Sequence, residues 1–219
     1  MTEYQSVLLV KVTFLQFFNA GVFVVATKIA ANYETFNIDN GIIGQISTIM
    51  ILNAITPNVV HFAKKYFEII HKLQIFLAKH GWFIMNQIEI NKLTSGNIIN
   101  LPKRYAYALK TLILTALYAP AVPVVVPVAL IGMIIFYFLE KLLITRSYSM
   151  PPNISSMTFD SAMELLEYFL ITFALGQLVI YAYFYSYQVG ELPLDWLITI
   201  FITLALAIFN SALPMDAIN

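Results

Sequence analysis

The chain has no cysteine, and among its 219 residues only twelve are basic and twelve acidic, 11% charged in all. A soluble domain carries about 25%. The missing cysteine excludes disulfides, thiol catalysis and cysteine metal sites. A formal net charge of zero gives no electrostatic ground for binding nucleic acid. There is no Gly-rich phosphate loop and no Gly-x-Ser-x-Gly elbow. His61, His71 and His80 are ten and nine residues apart, not the three or four that set two imidazoles on one helix face. No internal repeat or low-complexity segment stands out. The sequence therefore predicts no catalytic residue, no metal site and no cofactor, and the chain is not expected to be an enzyme.

What the chain has instead is apolar length. Hydrophobic residues make up 60%, against roughly 45–50% in soluble domains, and they cluster at 6–30, 42–63, 105–139, 165–187 and 196–213. A helical span needs about 20 residues to cross a hydrocarbon core of roughly 30 Å. The start has neither a basic n-region nor a small-residue cleavage site, so the first run is read as a retained span. The third run is too long for one crossing: its 35 residues would make a helix of about 52 Å. It carries Pro120, Pro123 and Pro127 at its middle. Two readings fit that length, one proline-kinked helix or a hairpin of two.

Charge selects the hairpin. Basic residues in short loops favour the cytoplasm, and 64–104 holds seven of the twelve. With a hairpin, the loop carrying Lys141 and Arg146 falls on that same side. The loops around Glu34 and Asp39, the proline turn, and the loop with Glu191 and Asp195 fall opposite, with no lysine or arginine. The expected fold is an all-α polytopic membrane bundle of about six spans, 6–30, 42–63, 105–119, 121–139, 165–187 and 196–213, with both termini cytoplasmic. Prolines suit the turn, where missing N–H groups cost least. Asn153-Ile154-Ser155 matches a glycosylation acceptor but falls inside, and is set aside.

The cytoplasmic loop 64–104 is expected to be helical. Phe62, Tyr66, Ile69, Ile70, Leu73, Phe76 and Leu77 sit at helical spacing, as in an amphipathic helix continuing the second span. A second short helix over 86–96 would end at Gly96, and Pro102 fits the first turn of the next.

Polar residues within the spans are few. Gln45, Thr48, Asn53 and Thr56 fall within about 140° of one helix face, Pro57 follows as a hinge candidate, and the first span adds Gln16 and Asn19. Such side chains need protein or water as partners, so the stripe lines a pathway or serves as interhelical hydrogen-bond glue. Lys11, Lys28 and Lys110 lie near span ends, where long stems snorkel to the interface. Glu164 and Glu167 open the fifth span, favoured by the helix dipole.

The succession FLQFFNAGVFVVATKIAAN, GQISTIMILNAITPNVVHFAKKYF and KRYAYALKTLILTALYAPAVPVVVPVALIGMIIFYFLEKLLITRSYSMPP resembles the C-terminal membrane half of the OSCA-type osmosensitive cation channels. These are relatives of the anoctamins and the transmembrane channel-like proteins, and the protist forms are the most similar. The resemblance covers most of 8–185 and is densest over 104–152, where Arg104-Tyr105-Ala106, the Tyr118-x-Pro120 turn, Tyr137 and Glu140-Lys141-Leu142-Leu143 follow in order. It implies the pore region of an osmotically or mechanically gated channel that passes inorganic cations. The pore would run within each subunit, between the first two spans and the first arm of the hairpin. Gln16, Asn19, Gln45, Thr48, Asn53 and Thr56 are the pore-lining candidates, and tension would act at Pro57. Family members carry further spans and a large cytoplasmic domain ahead of the matched region, so the resemblance implies a fragment, a split gene product whose partner is a further polypeptide supplying those spans, or a reduced relative; membrane lipids are expected partners in each case. The acidic calcium cluster of the anoctamins has no counterpart here. Two other classes remain: a lipid scramblase, in which such a groove opens sideways to headgroups, and a non-conducting structural subunit of a larger membrane complex.

Overall fold

The computed structural model describes residues 2–23, 26–27, 42–82, 86–88, 91, 97–146, 148–149, 156–188 and 194–212. In chain order these form α1 (Thr2–Phe17), a π-helical turn (Phe18–Val22), α2 (Ile42–Lys79), β1 (Asn97–Ile98), α3 (Leu101–Tyr118), α4 (Val125–Arg146), β2 (Tyr148–Ser149), α5 (Met157–Gln188) and α6 (Leu194–Ala212). The protein is an all-α helical membrane bundle. Among the described residues, four stretches are long and apolar enough to cross a membrane: Tyr4–Val22, Ile43–Ala63, Val125–Arg146 and Met157–Val179. In α6 the apolar stretch is shorter, Leu197–Phe209.

α3 is not among those four because Lys103, Arg104 and Lys110 dilute its apolar character. Half of its residues are nevertheless buried among its neighbours. Ala106, Leu109, Thr111, Ile113, Leu114, Thr115, Ala116 and Tyr118 are all buried. A helix surrounded by other helices needs no continuous apolar face toward lipid, which is why hydropathy alone undervalues it.

Cross-helix contacts fix the directions. Leu9 of α1 packs with Ala106 and Leu109 of α3 and with Ala162 and Leu165 of α5. Further along, the Tyr118 hydroxyl donates to the Gly21 carbonyl at 2.8 Å, and Gly176 presses on the Leu117 backbone. So α1, α3 and α5 run the same way. On α2, Asn53 meets Thr111 while His61 lies beside Glu140, itself paired with Arg104. α2 is therefore antiparallel to α3. Asn58 meets Gly132 and His61 meets Glu140, making α2 and α4 parallel. A second core cluster joins Ile46 and Met50 to Leu114, Tyr118, Val122, Val125 and Ala129 at the opposite end.

The chain reverses between α3 and α4. The N–H groups of Ala121 and Val122 both reach the Tyr118 carbonyl at 3.0 Å, and that of Val125 reaches Val122 at 3.0 Å. Pro120 and Pro123 occupy positions in this turn where no N–H is required. Val122 is buried while Val124 is exposed. α4 begins at Val125, later than hydropathy suggests, and extends to Arg146, well beyond 139, because Glu140 is held inside the bundle. α5 begins at Met157, with Asp160 in its first turn. Polar first turns escape an apolar window but suit the positive helix end.

Local signals place the remaining ends. The Asn100 Oδ1 accepts from the Lys103 N–H at 3.3 Å, with Pro102 in the first turn of α3. α2 runs unbroken past the apolar stretch to Lys79 and stops at Gly81, whose φ of 77° is the left-handed cap conformation. The expected cap at Gly96, and most of the expected helix over 86–96, lie outside the described residues. β1 and β2 pair in parallel, Asn97 opposite Tyr148 and Ile98 opposite Ser149, tying the entry of α3 to the exit of α4.

Candidate functional site

A cavity of about 290 Å³ lies between the first three helices. Ala20 of the π-helical turn forms one wall. Ile49, Leu52, Asn53, Thr56, Pro57, Val60 and His61 of α2 form a second, and Tyr107 and Lys110 of α3 a third. The arrangement follows from local sequence. π-helical turns disturb the regular side-chain stagger and recur at functional sites, and this one sets small Ala20 and Gly21 against α3. Pro57 lacks the N–H for an i−4 bond, so the wall opposite Ala20 contains a relaxed point in the helix ladder.

Polar groups face this cavity from two helices. The Asn53 Nδ2 donates to the Thr111 Oγ1 at 3.1 Å, and Thr111 in turn donates to the Tyr107 carbonyl at 2.9 Å. Thr56 is exposed. The Lys110 ammonium lies 5.2 Å from the centre of the Tyr107 ring, a cation–π distance. Among the described residues lining the cavity there is no carboxylate. The cavity is therefore mostly apolar surface, with amide, hydroxyl and aromatic groups and the Lys110 side chain on its wall.

One end of the cavity meets a buried ion cluster. The His61 Nε2 lies 3.2 Å from Glu140 Oε1, and the Arg104 guanidinium pairs with Glu140 Oε2. The other face of Arg104 covers the Tyr148 ring at 4.4 Å. His61 also meets the Phe136 ring edge-on at 5.4 Å between centroids. His61 and Glu140 are 4% and 7% exposed, so this pairing works against a large desolvation cost of the ions. The cluster ties α2, α3, α4 and β2 together, and His61 belongs to both cluster and cavity wall.

Comparison with protein-family models, with curated proteins and with solved structures finds no match. The site is thus read from its own geometry.

Of the sequence candidates, Asn53, Thr56 and Pro57 line the cavity. Asn19 is exposed on the π-helical turn next to Ala20, Gln16 and Gln45 are half-buried, and Thr48 is exposed with its hydroxyl bonded to the Gly44 carbonyl at 2.9 Å. Those four are not in the cavity wall. Asn58, off the stripe, is buried and donates to the Ala54 and Gly132 carbonyls at 2.7 and 3.2 Å, which is packing between α2 and α4. Sequence reasoning missed Lys110, Tyr107, His61, Glu140 and Arg104. Lys110 reads as a snorkelling residue, and the spacing of His61 from the other histidines gives it no role. Only the spatial pairing of 61, 104 and 140 reveals the cluster, and no spacing in the sequence encodes it. Glu164 is exposed and Glu167 half-buried.

Proposed function

We propose that this chain forms the permeation region of an ion channel of the osmotically or mechanically gated, cation-permeable kind, oriented with both termini in the cytoplasm. The observation that supports this reading is the cavity between the first three helices, whose mostly apolar wall carries the polar groups of Asn53, Thr56, Tyr107 and Lys110. Membrane tension would act on the wall at Pro57 and on the π-helical turn, two places where backbone bonding is irregular. The Lys110 ammonium is a barrier to cations in the resting arrangement. Passage then requires α3 to move relative to α2, or the ammonium to turn further onto Tyr107. A further polypeptide carrying additional spans is the partner this reading calls for.

The lateral opening favours one second reading. Leu52, Thr56 and Val60 are exposed at the cavity edge, so a lipid headgroup could enter from the side as in a scramblase. Reconstituted liposomes separate the readings: ion flux without fluorescent-lipid flipping supports the channel, flipping supports the scramblase, and neither supports a structural subunit. Lys110→Gln sharpens the test. A cation about 8 Å from the ammonium meets about 2 kcal/mol of repulsion at an effective dielectric constant near 20. Removing the charge is thus expected to raise cation flux about tenfold once screening is included, with folded protein unchanged. An unaltered flux would remove Lys110 from the path.

A further inference from the structure

α2 is longer than a membrane requires. Its 38 residues extend about 57 Å, and even a tilt of about 40° leaves well over 10 Å beyond a core of roughly 30 Å. The part past Ala63 therefore stands in water. It does not stand there as a polar helix. Tyr66, Ile69, Leu73 and Phe76 are each 56–62% exposed on one face. They continue a row begun within the membrane by Leu52, Ile55, Val59 and Phe62, which are 51–67% exposed.

The row has a period. Steps along it are three, four, three, four, three, four and three residues, the a/d spacing of a left-handed coiled coil, sustained without a stutter from inside the membrane into water. A helix resting on lipid, or on an irregular protein surface, has no need of a 3.5-residue register kept across that boundary. Asn53, Ala54, Asn58 and His61 turn to the bundle, and Pro57 falls at an outer position, so none of the eight seam residues is buried by the described residues, Leu52 alone bordering the cavity.

We infer that this face of α2 pairs with the same face of a second copy of the chain, as a parallel two-stranded coiled coil that begins within the membrane and ends near Lys79. Charge and insertion agree on the orientation. Lys72 and Lys79 occupy the positions flanking the a residues, and Ile70 and Leu77 those flanking the d residues. In a parallel pair each lysine stem lies over an apolar residue of the partner helix, whereas an antiparallel pair would set lysine against lysine. Two copies inserted the same way can only be parallel. The area is also sufficient: eight half-exposed side chains offer on the order of 800 Å² per copy, about what one partner contributes to a standard interface. The pairing does not depend on ion conduction.

Because the chain has no cysteine, the seam can be read one position at a time in native membranes. Tyr66→Cys, Ile69→Cys, Leu73→Cys and Phe76→Cys are expected to form disulfide-linked species of twice the monomer mass under mild oxidation. His71→Cys, Gln74→Cys and Ala78→Cys, on the other faces, are expected to remain monomeric. Leu73→Lys, which sets two ammonium groups against each other, should abolish the doubled mass of the unmodified chain in lipid nanodiscs. Free labelling of the seam cysteines by a water-soluble maleimide without cross-linking would overturn the inference, as would cross-linking at every position alike. So would seam cysteines protected from the maleimide yet never linked to each other, since that pattern means lipid or a different polypeptide covers the face.

Discussion

Glu140→Leu is expected to remove most of the folded protein from the membrane. The substitution leaves the Arg104 guanidinium, charged at any accessible pH, buried against Tyr148 without its carboxylate, and removes the carboxylate beside His61. Breaking one side of a buried ion pair costs about 3–5 kcal/mol, a large share of the roughly 5–15 kcal/mol that holds a domain together. The double substitution Arg104→Met with Glu140→Leu removes both ions and is expected to recover most of that loss, since well-packed apolar replacements of buried pairs are often neutral or stabilising. Thermal unfolding in detergent, followed by size-exclusion, checks both. If Glu140→Leu alone unfolds at the wild-type temperature, the pair is solvated and does not clamp α2, α3 and α4.

Gly176→Leu is expected to be nearly as damaging, for a steric reason. A Cβ at Gly176 would overlap the Leu117 carbonyl oxygen and come within 3.0 Å of its carbon. Backbone cannot yield as a flexible side chain can, so α5 would be forced off α3. Overpacking ordinarily costs about 1–3 kcal/mol, and an obstacle made of backbone places this case at or above the upper end. Gly132 is a milder version, its added Cβ meeting the Ala54 Cβ at 2.7 Å. Close approach at small residues is the usual way membrane helices gain dispersion contact. Size-exclusion profiles of Gly176→Leu beside Leu175→Ala, an exposed neighbour, should show loss of the monodisperse peak only in the first.

These two sites show why the chain was only partly legible. Apolar runs of about 20 residues announce membrane helices because water would reject them, so α1, the membrane half of α2, α4 and α5 were visible in composition. The start of α3 was visible too, since Asn100 and Pro102 are local signals. Its central position was not. The expected span 105–119 is short and leaves Lys103 and Arg104 in the preceding loop, whereas burial by its neighbours makes this helix the core of the bundle. On α2 the polar stripe pointed to Asn53 and Thr56, which do line the cavity. It could not separate them from Thr48, because a hydroxyl bonded to its own helix carbonyl has the same period as one facing a path. Glu140 falls just past the expected span 121–139. Its partners lie 36 and 79 residues back in the chain, a separation at which one sequence carries no pairing signal.

The most direct test of the permeation reading is a current through single cysteines. Thr56→Cys sits in the cavity wall, while Val124→Cys sits exposed in the turn between α3 and α4, away from the cavity. With the chain reconstituted in a planar bilayer, together with any partner that conduction requires, a positively charged thiol reagent is expected to suppress cation current irreversibly in Thr56→Cys and to leave Val124→Cys unchanged. Full modification of Thr56→Cys, verified by mass, with current intact would contradict the claim that ions pass between the first three helices.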